Sequence, residues 1–154
     1  HLDSLEYDVF KAEADCYRNM GDFLKAYQIY EECLSYLDTD QLSDTVVEVL
    51  YQMSYCLYMN GKVKEAVAKL NHLKEHFEKN SICNHWYIKV LSLLASTCDS
   101  TGDIKSQEKY YATALDYYKK NQYEQEYYVL LRMASMVFGE EIAINMEKNG
   151  RSIF

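Results

Sequence analysis

The chain has 154 residues, 49% of them hydrophobic and 26% charged, with a formal charge of −8; that length buries a core without disulfide or metal staples. The negative balance excludes a general attraction to nucleic-acid backbones or anionic membranes, and no apolar run approaches the roughly eighteen residues that span a bilayer. Pro is absent where average usage predicts about eight, so long helices with very short turns are expected.

Apolar residues at helical spacing predict eight helices in chain order, over 3–20, 22–38, 43–60, 62–78, 84–101, 103–120, 122–137 and 139–149. The first carries the stripe Phe10, Ala14, Tyr17 and stops at Gly21-Asp22-Phe23; the second continues with Ala26, Tyr30 and Cys33. The third and fourth repeat this as Leu50, Ser54, Leu57, then Gly61-Lys62-Val63, then Ala66, Leu70 and Leu73. The fifth and sixth repeat it again as Leu91, Ala95, Cys98, then Gly102-Asp103-Ile104, then Gln107, Tyr111 and Ala114. The steps of four and three keep each set on one face, and the small residue mid-stripe lets a second helix approach closely. Gly suits a helix C-terminus that turns through the left-handed region, and Asp22 and Asp103 suit the start of the next helix.

The three turn glycines lie 40 and 41 residues apart, the signature of stacked helical hairpins. A degraded fourth unit follows: Tyr127, Leu130, Leu131, Ala134 and Val137, a turn at Phe138-Gly139-Glu140-Glu141, a short helix over 142–148, and a stop at Asn149-Gly150. Terminal repeats are often atypical because one face lacks a neighbour.

At these columns the chain resembles the tetratricopeptide repeat family, most closely in Gly21-Asp22-Phe23-Leu24-Lys25-Ala26-Tyr27-Gln28-Ile29-Tyr30 and in Gly61-Lys62-Val63-Lys64-Glu65-Ala66. Gln107 stands where that family usually has Ala. The period exceeds the family's usual 34 residues, and the extra residues, at 38–43 and 79–84, are expected to lengthen both helices by about a turn. Long, Pro-poor repeats are similar to those of bacterial signalling proteins such as peptide-pheromone sensors. The resemblance implies one all-α domain over 1–154, a right-handed superhelix of antiparallel hairpins with repeats at about 5–40, 45–80, 86–120 and 122–150.

Little points to chemistry. There is no phosphate loop, Gly-x-Ser-x-Gly or His-Glu-x-x-His pattern, so no enzyme, cofactor or metal is expected. His72 and His76 share a helix face as half of a metal site at most, and His85-Trp86 reads as packing or capping. Five Cys without a C-x-x-C pair read as reduced thiols, with Cys16, Cys33, Cys56 and Cys98 in helix cores and Cys83 alone exposed. Dispersed Lys and Arg exclude a nucleic-acid patch; Tyr117-Tyr118-Lys119-Lys120 is a helix C-terminus that welcomes cations. The chain begins with His1 rather than Met and carries no signal-peptide pattern, so a piece of a larger cytoplasmic protein is expected.

The resemblance places ligands on the first helix of each hairpin. In that register lie Asp8, Lys11, Asp15 and Arg18; Glu48, Tyr51, Gln52, Tyr55 and Tyr58; Lys89, Ser92, Ser96 and Asp99; and Tyr128, Arg132 and Ser135. Asp15 and Tyr55 occupy columns where chaperone-tail binders carry Asn, so that specificity is not expected. Tyr51, Tyr55 and Tyr58 form a ladder at i, i+4 and i+7, with large contact area and polar tips suited to a binding face; an inter-helix packing role is the alternative. The function expected is binding of a protein or short peptide without catalysis. Within it, a pheromone-sensing half of a transcriptional regulator competes with a scaffold or homodimerisation array.

Overall fold

The computed structural model describes the backbone of residues 2–149 and the side chains of residues 4–146. Eight helices follow one another without a strand among the described residues: α1 (Leu2–Asn19), α2 (Phe23–Leu34), α3 (Asp44–Met59), α4 (Val63–Lys79), α5 (His85–Thr101), α6 (Ile104–Lys120), α7 (Glu124–Phe138) and α8 (Glu140–Asn149). The all-helical class and the consecutive pairing expected from the repeat are both present: α1 packs on α2, α5 on α6 and α7 on α8. None of the described helices is long and apolar enough to cross a membrane. Gly150, expected to stop the last helix, lies outside the described residues.

The turns explain why the glycines recur. Gly21 and Gly61 sit at φ +85° and +81°, a region that costs any residue with a Cβ roughly 1–2 kcal/mol. In that conformation the next amide reaches back across the helix end: Asp22 N–H bonds Tyr17 O at 2.9 Å and Lys62 N–H bonds Leu57 O at 2.9 Å, satisfying carbonyls that would otherwise be orphaned. The following helices are capped from the side. Asp22 accepts from the Lys25 amide at 3.2 Å, Asn84 from the Tyr87 amide at 3.0 Å and Asp103 from the Ser106 amide at 3.2 Å.

Two connections use the same geometry without glycine. Ser81 and Gln122 stand at φ +52° and +62°, and Ile82 and Tyr123 reach back to Phe77 and Tyr118 at 2.8 and 2.9 Å. A further difference lies at α2, which ends at Leu34 rather than 38. The Ser35 hydroxyl takes the Glu32 carbonyl at 2.6 Å, and Tyr36 and Leu37 close tighter bonds three residues back, so the helix stops. The surplus residues of the first repeat therefore form a loop and do not lengthen α2.

The chain divides into two compact units, His1–His76 and Phe77–Phe154. The first has its core in Ala14, Ala26, Ile29, Tyr30, Cys33, Val49, Met53 and Cys56, where α3 seats on the α1–α2 hairpin. The small column Ala14, Ala26 and Ser54 is fully buried, which lets these helices approach closely. In the second unit Tyr87, Ile88, Leu91, Ala95, Tyr111, Ala114 and Leu115 fill the α5–α6 hairpin, and α6 packs on both α7 and α8. The Phe77 and Tyr87 rings meet at 5.7 Å, and the Tyr87 hydroxyl donates to Glu78 at 3.1 Å.

Candidate functional site

In the first unit, four of the residues expected to line a binding face are brought together and bonded to one another. Lys11 Nζ lies 3.1 Å from Asp15 on its own helix and 3.0 Å from Glu48 on α3. Arg18 reaches Asp15 at 3.5 Å and the Tyr30 hydroxyl at 3.3 Å, and that hydroxyl, on a fully buried ring, donates to Asp15 in a short hydrogen bond. Burial alone would lower the Lys11 pKa, but its hydrogen bonds to Glu48 and Asp15 outweigh that and raise it. Burial and the Asp15 carboxylate push the Tyr30 hydroxyl far up, so it stays neutral, accepting from Arg18 and donating to Asp15. The column expected to hold ligands is occupied here by an internal lattice of charges. Glu48, expected in the same register, is half-buried within it.

The tyrosine ladder lies next to this lattice on α3. Tyr51, Gln52, Tyr55 and Tyr58 are all half-buried, and Tyr55 packs edge-on against Phe23 of α2 with ring centres 6.0 Å apart. Phe23 also lines a cavity of about 210 Å³ together with Tyr27, Gln28, Glu31, Leu57 and Lys62.

The second unit presents a different surface. Ser92 and Ser96 turn their hydroxyls back to the Ile88 and Ser92 carbonyls at 2.8 and 3.4 Å, so α5 offers a flat, small-residue face. Lys89 is folded over the Trp86 ring, 5.3 Å from its centre. Between this face and α7 runs a groove of about 360 Å³ lined by Ser92, Tyr118, Gln125, Glu126, Val129, Leu130 and Met133. Its floor is apolar, and its rim carries the Tyr118 hydroxyl, which meets Ser92, together with one amide and one carboxylate.

Of the residues expected on α7, Tyr128 and Arg132 are exposed, with Tyr128 edge-on to Tyr127 at 5.2 Å; the groove is lined instead by their neighbours Val129 and Met133. Counted from the turn glycine, Val129 and Met133 stand ten and six residues before Gly139, as Lys11 and Asp15 do before Gly21 and Ser92 and Ser96 before Gly102, so the register of the earlier repeats carries over and Tyr128 and Arg132 lie one position off it.

Beside the groove, Tyr123 stacks on Tyr117 at 6.2 Å and tilts against His85 at 5.6 Å. His85 Nδ1 is buried without a hydrogen-bond partner; burial first, and Lys89 second, lower its pKa, and the ring packs as a neutral aromatic. His72 is exposed, and no group of three or more His, Cys, Asp or Glu that could hold a metal ion occurs among the described residues.

The thiols correct one expectation. Cys33, Cys56 and Cys98 are buried, and burial pushes Cys33 and Cys56 up to about 11, but Cys16 is exposed along with Cys83. Its helix position is an apolar column, yet no described helix covers it.

No protein-family model matches the chain, and no curated protein or solved structure matches it.

Proposed function

We propose that this chain is a non-catalytic peptide- or protein-binding module of the tetratricopeptide kind, one part of a larger bacterial signalling or regulatory protein of the cytoplasm. The observation that carries the reading is the groove between α5 and α7. Its floor of Val129, Leu130 and Met133 offers apolar contact, and Met adapts its shape to different side chains. Its rim of Tyr118, Gln125 and Glu126 can bond the backbone of an extended segment, and helices position such groups more rigidly than loops do. In the first unit the same columns are filled by the Lys11–Asp15–Arg18–Glu48 lattice, which supports a scaffold role for that half.

Selection of a short-peptide library on the purified chain tests this reading. Enriched peptides should lose at least tenfold in affinity with Met133→Glu while the circular dichroism spectrum is unchanged. Failure to enrich any peptide, or equal affinity for the variant, would exclude the groove as the site. A helix-turn-helix in the parent sequence would then separate a sensing regulator from a scaffold.

A further inference from the structure

Three residues that line the groove from α7, Glu126, Val129 and Met133, stand at i, i+3 and i+7 and so share one helix face. Val129 and Met133 belong to the apolar floor, while Glu126, in the first turn, is the only charged group in the lining among the described residues. The surface around it carries the same sign. Among the described side chains of α7 and α8, Glu124, Glu126, Glu140 and Glu141 are all exposed, against Arg132 alone.

Glu126 has no cation of its own: it forms no ion pair or hydrogen bond among the described residues. Nearby cations are engaged elsewhere, Lys89 over the Trp86 ring and Lys120 with Asp116 at 2.9 Å. The carboxylate nevertheless bears on the groove wall. Burial is the main cause of the raised Tyr118 pKa, and Glu126 is the foremost charge adding to it; it acts on His85 as well, where burial and Lys89 prevail.

Spacing completes the argument. From Glu126 to the middle of the Val129–Met133 pair is five residues, about 7.5 Å along the helix. An extended chain brings residues i and i+2 to the same side roughly 6.6–6.8 Å apart.

We propose that the groove takes an extended peptide in which a Lys or Arg stands two positions from a large apolar residue. The apolar side chain seats between Val129 and Met133, and the cation pairs with Glu126. This assignment rests on the groove being the peptide site. The chain's charge of −8 favours encounter with such a ligand.

Sequencing the peptides selected on the full chain from a random library tests the proposal. The enriched set should carry Lys or Arg two positions from Leu, Ile, Phe or Met. Glu126 is exposed, so Glu126→Gln should keep the wild-type melting curve and lose about tenfold in affinity at low salt. Replacing the peptide's cation by Gln should cost the wild type as much and cost Glu126→Gln nothing further. Glu124→Gln, in the same turn but outside the lining, should change affinity less than about twofold.

Peptides that are lost with Met133→Glu but carry no such cation, or that bind Glu126→Gln as tightly as the wild type, would overturn the assignment and leave the groove as the site. An equal loss with Glu124→Gln would overturn it too, since the attraction would then belong to the whole acidic surface. A library that yields no peptide sensitive to Met133→Glu would overturn both the assignment and the groove.

Discussion

The two units use one repeat plan and fill its inner column in opposite ways. In the first unit Lys11, Asp15, Arg18 and Glu48 neutralise one another and lock Tyr30 in place. In the second, Ser92 and Ser96 bond to their own helix and leave a groove with an apolar floor. Whether a helical-repeat face is closed or open to a ligand is therefore decided by the side chains that stand in one column, while the turns and the small-residue contacts stay the same.

The largest test of that contrast is Asp15→Ala. It strips a buried tyrosine hydroxyl of its acceptor and two cations of their partner, and should cost about 2 kcal/mol in urea unfolding. A loss below about 0.5 kcal/mol would show that the lattice is no more than a surface ion-pair array. Next is Gln107→Ala in the second unit. The Gln107 side chain is buried and donates to Ala95 O at 3.0 Å and to Asp99 at 2.6 Å, so its truncation should cost about 1 kcal/mol.

The glycine-free turns give an effect of opposite sign. Gln122→Gly relieves a left-handed residue and should stabilise the chain by roughly 0.5–1 kcal/mol, seen as a rise in Tm. Smallest is Ser92→Ala, which removes a hydroxyl already satisfied within α5. Stability should shift by less than about 0.5 kcal/mol, whereas peptide affinity should change because the groove wall and its Tyr118 contact change. If Ser92→Ala cost as much as Asp15→Ala, the contrast between a locked and an open column would fail.

The hairpins were legible because Gly21, Gly61 and Gly102 mark them and because the stripes between are strongly periodic. The turns at Ser81 and Gln122 gave no such signal, since they take the left-handed conformation without the residue that favours it. Periodicity also says which way a side chain faces, not whether a neighbour stands there. That is why Cys16 matched the buried Cys56 in pattern and differs in exposure. The groove was half legible: α5 supplied Ser92 as expected, but on α7 the expected Tyr128 and Arg132 stand one position off the column that Val129 and Met133 continue, ten and six residues before Gly139. Tyr118 gave no separate signal, because Tyr117-Tyr118-Lys119-Lys120 has the pattern of a helix end whose cations complement the last carbonyls.

An amide chemical-shift titration of the ¹⁵N-labelled chain with the tightest library peptide tests the central claim most directly. The account predicts that shifts concentrate at Ser92, Tyr118, Gln125, Val129 and Met133 while Lys11, Asp15 and Arg18 stay still. Shifts centred on Tyr51, Tyr55 and Tyr58, with the α5–α7 residues unmoved, would contradict it and move the binding face to the first unit.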